Sequence, residues 1–141
     1  MSDWCVDSAV VAKWVLPESD SSVARRVLVA VTASGGKLLV LDLAMIEVAN
    51  AIRTRHHRKL LTLAEAHQAL WLLQSAAVQV VPALPLLAAA FEIALQCNVA
   101  DYDAMFVAVA RQFAIGGVTS DEPLVRAVSA AFPEIKSLQT W

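Results

Sequence analysis

Charge is scarce in this chain: only 17% of its 141 residues are Asp, Glu, Lys or Arg, against roughly a quarter in an average soluble protein. Cysteine is scarcer still. Cys5 and Cys97 lie far apart, with no CxxC pair and no Cys/His spacing suited to zinc, so they read as reduced core thiols and not as a disulfide framework. A basic excess is also missing. With 11 Lys and Arg against 13 Asp and Glu the net charge is −2, so any nucleic-acid surface must be local. No repeat, low-complexity tract or linker divides the sequence, and one domain over residues 1–141 is expected. The N-terminal Met1-Ser2-Asp3-Trp4-Cys5-Val6-Asp7-Ser8 carries no basic segment followed by an apolar run, so a cytoplasmic location is expected.

Apolar residues are plentiful, at 58% of the chain and a mean hydropathy of +0.59. That is ample to offset chain entropy, which excludes disorder. It also raises the question of a membrane span. The longest uncharged stretch, Ala66 to Phe91, contains His67, Gln68, Gln74, Ser75 and Gln79, then Pro82 and Pro85. A spanning helix needs about 20 mostly apolar residues without such breaks, so two buried pieces and no membrane are expected.

Trp4-Cys5-Val6 reads as a buried strand, and Ala9 to Leu16 as a helix stopped by Pro17. Glu18-Ser19-Asp20 opens a second helix that runs to about Ala33, before Gly35-Gly36. Leu38 to Leu41 suits a strand covered on both faces, and Ala44 to about Leu60 a helix. Thr62-Leu63-Ala64-Glu65 fits a capping box for a helix ending near Ala76. Val78 to Val81 reads as a strand, and Leu86 to Cys97 as a helix capped by Asn98. Asp101 to Phe113 is a further helix, ended by Gly116-Gly117. Val118-Thr119 is a short strand, Pro123 to Ala131 a helix and Ile135 to Leu138 a last strand. Short apolar strands alternating with helices predict an α/β domain of three layers, with a parallel sheet inside. In such sheets ligands bind beyond the carboxyl ends of the strands.

Against this apolar background the placement of carboxylates is informative. Asp7 follows the first strand and Asp121 follows Val118-Thr119-Ser120. Glu47 and Asp103 each sit in an otherwise apolar helix, where a charge is costly to bury unpaired. Convergence of the four would raise some of their pKa values, and a divalent cation would remove the repulsion. Oxygen-only donors without His or Cys select Mg²⁺ or Mn²⁺ over zinc. Each acid also has a structural reading. Asp7, with Ser8, can cap the helix from Ala9; Asp121 can cap the helix at Pro123; Asp103 can serve the helix dipole; Glu47 can pair with Arg53 or Arg111.

Four blocks then match a known family: Val6-Asp7-Ser8-Ala9-Val10-Val11-Ala12-Lys13-Trp14 with Leu16-Pro17-Glu18, Glu47-Val48-Ala49-Asn50-Ala51-Ile52, Tyr102-Asp103-Ala104, and Val118-Thr119-Ser120-Asp121-Glu122. Over essentially its whole length the chain resembles PIN domains, and among them the VapC-type toxins of toxin–antitoxin pairs. The resemblance implies a five-stranded parallel sheet of order 3-2-1-4-5. It also implies a Mg²⁺-dependent endoribonuclease with an acidic site of Asp7, Glu47, Asp103 and Asp121, and a small antitoxin that blocks it. Cleavage would leave a 5′-phosphate and a 3′-hydroxyl.

Asp101 departs from the family pattern. It is read as the N-cap of its helix, with a metal-site role as the alternative. Thr119 and Ser120 are candidates to bond the scissile phosphate or, at least as readily, to make local turn bonds at a strand end. Asn50, one turn from Glu47, either holds that carboxylate or bonds locally. Arg53-Thr54-Arg55-His56-His57-Arg58-Lys59 packs four of the 11 basic residues into one segment. Arg53, Arg55, Arg58 and Lys59 therefore either grip RNA phosphates or form a solvated helix end. Homodimerisation is expected of so apolar a chain. Two other readings remain: a catalytically silent PIN-like module that binds RNA or protein, and a receiver-type signalling domain. The second needs a lysine after a later strand, and none follows Val118-Thr119.

Overall fold

The computed structural model describes residues 3–141; Met1 and Ser2, part of the segment read above for a leader, lie outside the described residues. The chain order is β1 (Trp4–Val6), α1 (Ser8–Val15), α2 (Ser21–Ala33), β2 (Leu38–Leu41), α3 (Asp42–His57), α4 (Leu63–Ser75) and β3 (Gln79–Val81). It continues, after a 3-10 turn at Leu84–Leu86, with α5 (Leu87–Cys97), α6 (Asp101–Phe113), β4 (Gly116–Thr119), α7 (Glu122–Val128), β5 (Ile135–Ser137) and a last 3-10 turn at Leu138–Thr140. All strand pairs are parallel and the sheet order is β3-β2-β1-β4-β5, as the resemblance implied. Right-handed crossovers put the connections β1→β2→β3 on one face and those back to β4 and β5 on the other. Accordingly α1 packs on α2, α3 and α4, while α5 packs on α6.

The strand order reverses beside β1, and there a crevice opens at the carboxyl ends. The register Val6↔Val118 brings Asp7 level with Thr119, and the Asp7 N–H donates to Val118 O at 3.4 Å. This pairing decides the geometry of the site described below.

Several local readings hold. The capping box is complete, with Glu65 N–H on Thr62 Oγ1 and Thr62 N–H on Glu65 Oε1. Asn98 caps α5 in the left-handed region at φ 54°. The uncharged stretch is broken into α4, β3, a 3-10 turn and part of α5, and among the described residues no single helix is long and apolar enough to cross a membrane.

Others are corrected. The second helix begins at Ser21, because Glu18 is drawn away to Lys13 and Arg55 and Asp20 to Lys13. α3 starts at Asp42 and ends at His57, beyond which Lys59 turns at φ 62°. Gly116 and Gly117 do not stop α6; Ala114 does, at φ 53°, and both glycines belong to β4. Their smallness is a packing matter. A Cβ on Gly116 would stand 2.3 Å from the Trp4 ring, and one on Gly117 would stand 2.8 Å from Phe106 and Ile135. α7 is shorter than expected, closing at Val128, and the last strand yields to a 3-10 turn at Leu138.

Candidate metal centre

Asp7 stands at the carboxyl end of β1, where it caps α1: its Oδ1 accepts the Val10 N–H at 3.1 Å. Asp121 plays the same part after β4, accepting the Leu124 N–H at 3.1 Å. The capping readings of these two residues are therefore correct, and they do not compete with a site. Each cap occupies one lone pair of one oxygen and aims the carboxylate across the crevice. Thr119 joins the two, donating its hydroxyl to Asp7 Oδ2 and accepting the Asp121 N–H at 3.0 Å. Glu47 approaches from α3, with the Ser8 hydroxyl donating to its Oε2 at 3.5 Å, the outer limit of a hydrogen bond. Asp103 reaches in from the first turn of α6.

Asp7, Ser8, Glu47, Tyr102 and Asp103 line one cavity of about 50 Å³ over an apolar floor that includes Val6, Leu41 and Phe106. The electrostatics report the crowding. Burial pushes the Asp7 carboxyl up to about 6; the Thr119 and Val10 hydrogen bonds oppose this, and the charges of Asp121 and Asp103 add to it. Burial raises Glu47, with Ser8 opposing and Asp103 adding. Asp103 is raised by burial and then by Asp121. Cys5, a fully buried thiol beneath Asp7, is pushed well up by burial and by that charge, which keeps it inert.

Among the described residues no cation pairs with this cluster. The ion pairs among the described residues join Lys13 to Glu18 and Asp20, and Arg55 to Glu18. Glu47 pairs with neither Arg53 nor Arg111, whose guanidinium lies 5.5 Å over the Phe132 ring. Among the described residues no three acidic side chains already close around a point as a finished ligand set, as expected of like charges without a counterion. The donor chemistry suits a small hard cation. The four acids supply only oxygen, neither His nor Cys lines the cavity, and its volume holds an ion with a few waters.

The accessory candidates sort differently from expectation. Ser8 touches Glu47 as described. Thr119 is fully buried, so its hydroxyl serves Asp7 and Asp121 and cannot meet a phosphate. Among the described residues the Ser120 side chain has no hydrogen-bond partner, and Asn50 is exposed without a bond to Glu47. Asp101 is not the N-cap. Ala100 holds that position without a side-chain bond, and Asp101 is an exposed first-turn residue outside the cavity lining. Arg55 is committed to Glu18 at 2.7 Å and to Pro17 O at 3.3 Å, an intramolecular tie that makes it no free phosphate ligand. Arg53 and Lys59 stay exposed, lining an open groove with His56 and His57, and Arg58 is exposed beside them.

The family profile of the PIN domain matches residues 4–129. Among solved structures, PAE2754 from Pyrobaculum aerophilum superposes with a TM-score of 0.73 at 20% identity, covering 99% of this chain and 94% of that one. VapC20 of Mycobacterium tuberculosis, a sarcin–ricin-loop-cleaving toxin, superposes at 0.66 with 19% identity and coverages of 95% and 99%. VapBC2 of Rickettsia felis, solved bound to a promoter DNA fragment, superposes at 0.63 with 10% identity and coverages of 97% and 98%. No curated protein sequence matches the chain.

Proposed function

Because the chain belongs to the PIN-domain family, we propose that it is a metal-dependent endoribonuclease of the toxin–antitoxin type, acting in the cytoplasm and restrained by a small antitoxin. The observation that carries this reading is the acid cluster itself: Asp7, Glu47 and Asp103 around one cavity, with Asp121 close enough to raise two of them, and among the described residues no cation paired with them. Asp7, Asp103 and Asp121 would hold the ion, with Glu47 beside them.

A bound Mg²⁺ or Mn²⁺ would supply a water of lowered pKa and neutralise the phosphate under attack. The Asp103 carboxylate, which accepts no hydrogen bond among the described residues, keeps both oxygens available. Asp7 is oriented by the Val10 N–H and the Thr119 hydroxyl. Glu47 has Oε1 free, and its raised pKa suits it to take the proton of the attacking water. Hydrolysis on this route leaves a 5′-phosphate and a 3′-hydroxyl.

Arg53 lies six residues beyond Glu47 on α3, about 9 Å along the axis and about 120° around it, and with Lys59 it lines a groove apart from the acidic cavity, so Arg53, Arg58 and Lys59 would grip phosphates some way along the strand from the cut. Two exposed apolar stripes, Leu63 with Trp71 on α4 and Leu87, Phe91 and Leu95 on α5, offer surfaces for an antitoxin helix and for a second copy. Sedimentation of the chain alone and with its antitoxin tests both.

The function is tested by cutting end-labelled RNA and identifying the new ends across a salt series. The expected products carry a 5′-phosphate, and log(kcat/KM) falls with log salt. Arg53→Gln with Lys59→Gln flattens that slope by about 1.4, two contacts at roughly 0.7 each. Products ending in a 2′,3′-cyclic phosphate would contradict a water nucleophile.

A further inference from the structure

Tyr102 stands at the mouth of the acidic cavity, and no step above uses it. Its side chain is 56% exposed, whereas Ala104 to Ala110, the next stretch of the same helix beyond Asp103, is wholly buried. Its hydroxyl makes no hydrogen bond among the described residues, and its ring has no aromatic or cationic partner there. It nevertheless lines the same cavity as Asp7, Glu47 and Asp103. The other aromatic side chain of that lining, Phe106, is 3% exposed and belongs to the floor.

The size of the cavity decides what Tyr102 can meet. At about 50 Å³ it accommodates an ion and a few waters, each water needing some 10–15 Å³ on this measure, and it does not accommodate a nucleobase. A phosphodiester drawn to the carboxylates must therefore leave its neighbouring bases outside, over the rim. An unpaired base offers an apolar face, and an exposed aromatic ring covers such a face without reading its edge. A base within a duplex is already covered on both faces.

We propose that Tyr102 is a stacking platform for an unpaired nucleobase next to the scissile phosphate, and that it biases the enzyme towards single-stranded RNA. This rests on the nuclease reading above. Tyr102 holds the substrate and takes no part in proton transfer, so its loss weakens KM far more than kcat.

The test uses the full chain, Mg²⁺ and a short single-stranded RNA with a mapped cut site. Tyr102→Ala is expected to lower kcat/KM roughly 5- to 150-fold, the range that one base–aromatic stack spans, with Mn²⁺ affinity in the absence of RNA unchanged. Tyr102→Phe keeps the ring and stays within about twofold of the parent. An abasic nucleotide scanned through the positions flanking the cut costs the parent a similar factor at one of them, and costs Tyr102→Ala nothing further there. Equal kinetics for parent and Tyr102→Ala overturn the proposal, as do a Phe variant as poor as Ala or abasic and Ala losses that multiply independently. A Tyr102→Ala variant that loses only antitoxin binding marks the ring as a protein contact and overturns it equally. If the parent cuts no RNA, the nuclease reading fails and the stacking role falls with it; a parent that cuts while Tyr102→Ala keeps pace removes the stacking role alone.

Discussion

Asp7→Asn is expected to stabilise the metal-free chain while abolishing its activity. Asparagine is as good an N-cap as aspartate: its Oδ1 can still accept the Val10 N–H, and its Nδ2, standing where Oδ2 was, can donate to Thr119 Oγ1 once that hydroxyl turns its own proton away. What it removes is a charge that burial and the neighbouring acids oppose. The Asp7 carboxyl stands at about 6 in the fold against an ordinary 3.8. A pKa raised by folding means that the folded state binds the proton more tightly than the unfolded chain does. The stability this supplies is complete below about pH 4 and is lost as pH rises through about 6. Two pH units at about 1.4 kcal/mol each give a loss of roughly 3 kcal/mol at most. In EDTA the variant should match the parent near pH 4 and exceed it by about 2–3 kcal/mol near pH 8, as read by urea denaturation. Saturating Mg²⁺ should restore the parent by mass action and do little for the variant. Cleavage should fall by about 10³-fold or more. A stability difference that does not vary with pH would contradict the account.

Thr119→Val is expected to disable the centre without touching a ligand. Thr119 is fully buried, and its single hydroxyl links Asp7 to the backbone of Asp121. Valine fills the same space but leaves the Asp121 N–H without its acceptor and lets Asp7 Oδ2 turn away. Loss of such an outer-shell partner costs about 10–100-fold in metal affinity or activity, and the stranded N–H about 1–3 kcal/mol of stability. Mn²⁺ titration and kcat/KM should fall together, and Thr119→Ser should recover most of both. Unchanged Mn²⁺ affinity in the valine variant, or a serine variant no better than valine, would show Thr119 to be packing only.

These two residues also mark how far the sequence carries. Asp7, Glu47, Asp103 and Asp121 are legible because a charge in an apolar setting is costly, and four such costs at strand ends and in apolar helices need a common cause. Their convergence then follows from the strand order, which reverses beside β1. For Thr119 the local-turn reading holds, since its Oγ1 accepts the Asp121 N–H, but its bond to Asp7 is not legible in the sequence. Its role depends on the register Val6↔Val118, and nothing local specifies a register between strands more than 100 residues apart.

Asp101, Asn50 and Arg55 escape the sequence for a related reason. Asp101 and Asn50 each have a plausible local role in sequence that the backbone geometry overrules, and Arg55, which reads as one of a free basic run, is taken by a distant acid, Glu18. The glycine pair 116–117 looked like a helix stop because Gly often is one. Here it answers to the Trp4 ring and to Phe106 and Ile135, while Ala114 takes the left-handed position with no glycine to announce it. Elements whose signals are wholly local, the Thr62–Glu65 capping box and the Asn98 cap, are legible in the sequence and stand in the structure.

The central claim is that the four carboxylates form a centre for metal-dependent RNA cleavage. Its most direct test is single-turnover cleavage of end-labelled RNA by the purified, antitoxin-free chain in Mg²⁺, in EDTA, and in Mg²⁺ with Asp103→Asn. The account predicts cutting in the first sample alone, restored to the second by adding Mg²⁺ or Mn²⁺. Cutting that survives EDTA, or that Asp103→Asn leaves intact, would contradict it, and a parent that binds RNA without cutting would make the chain a binding module.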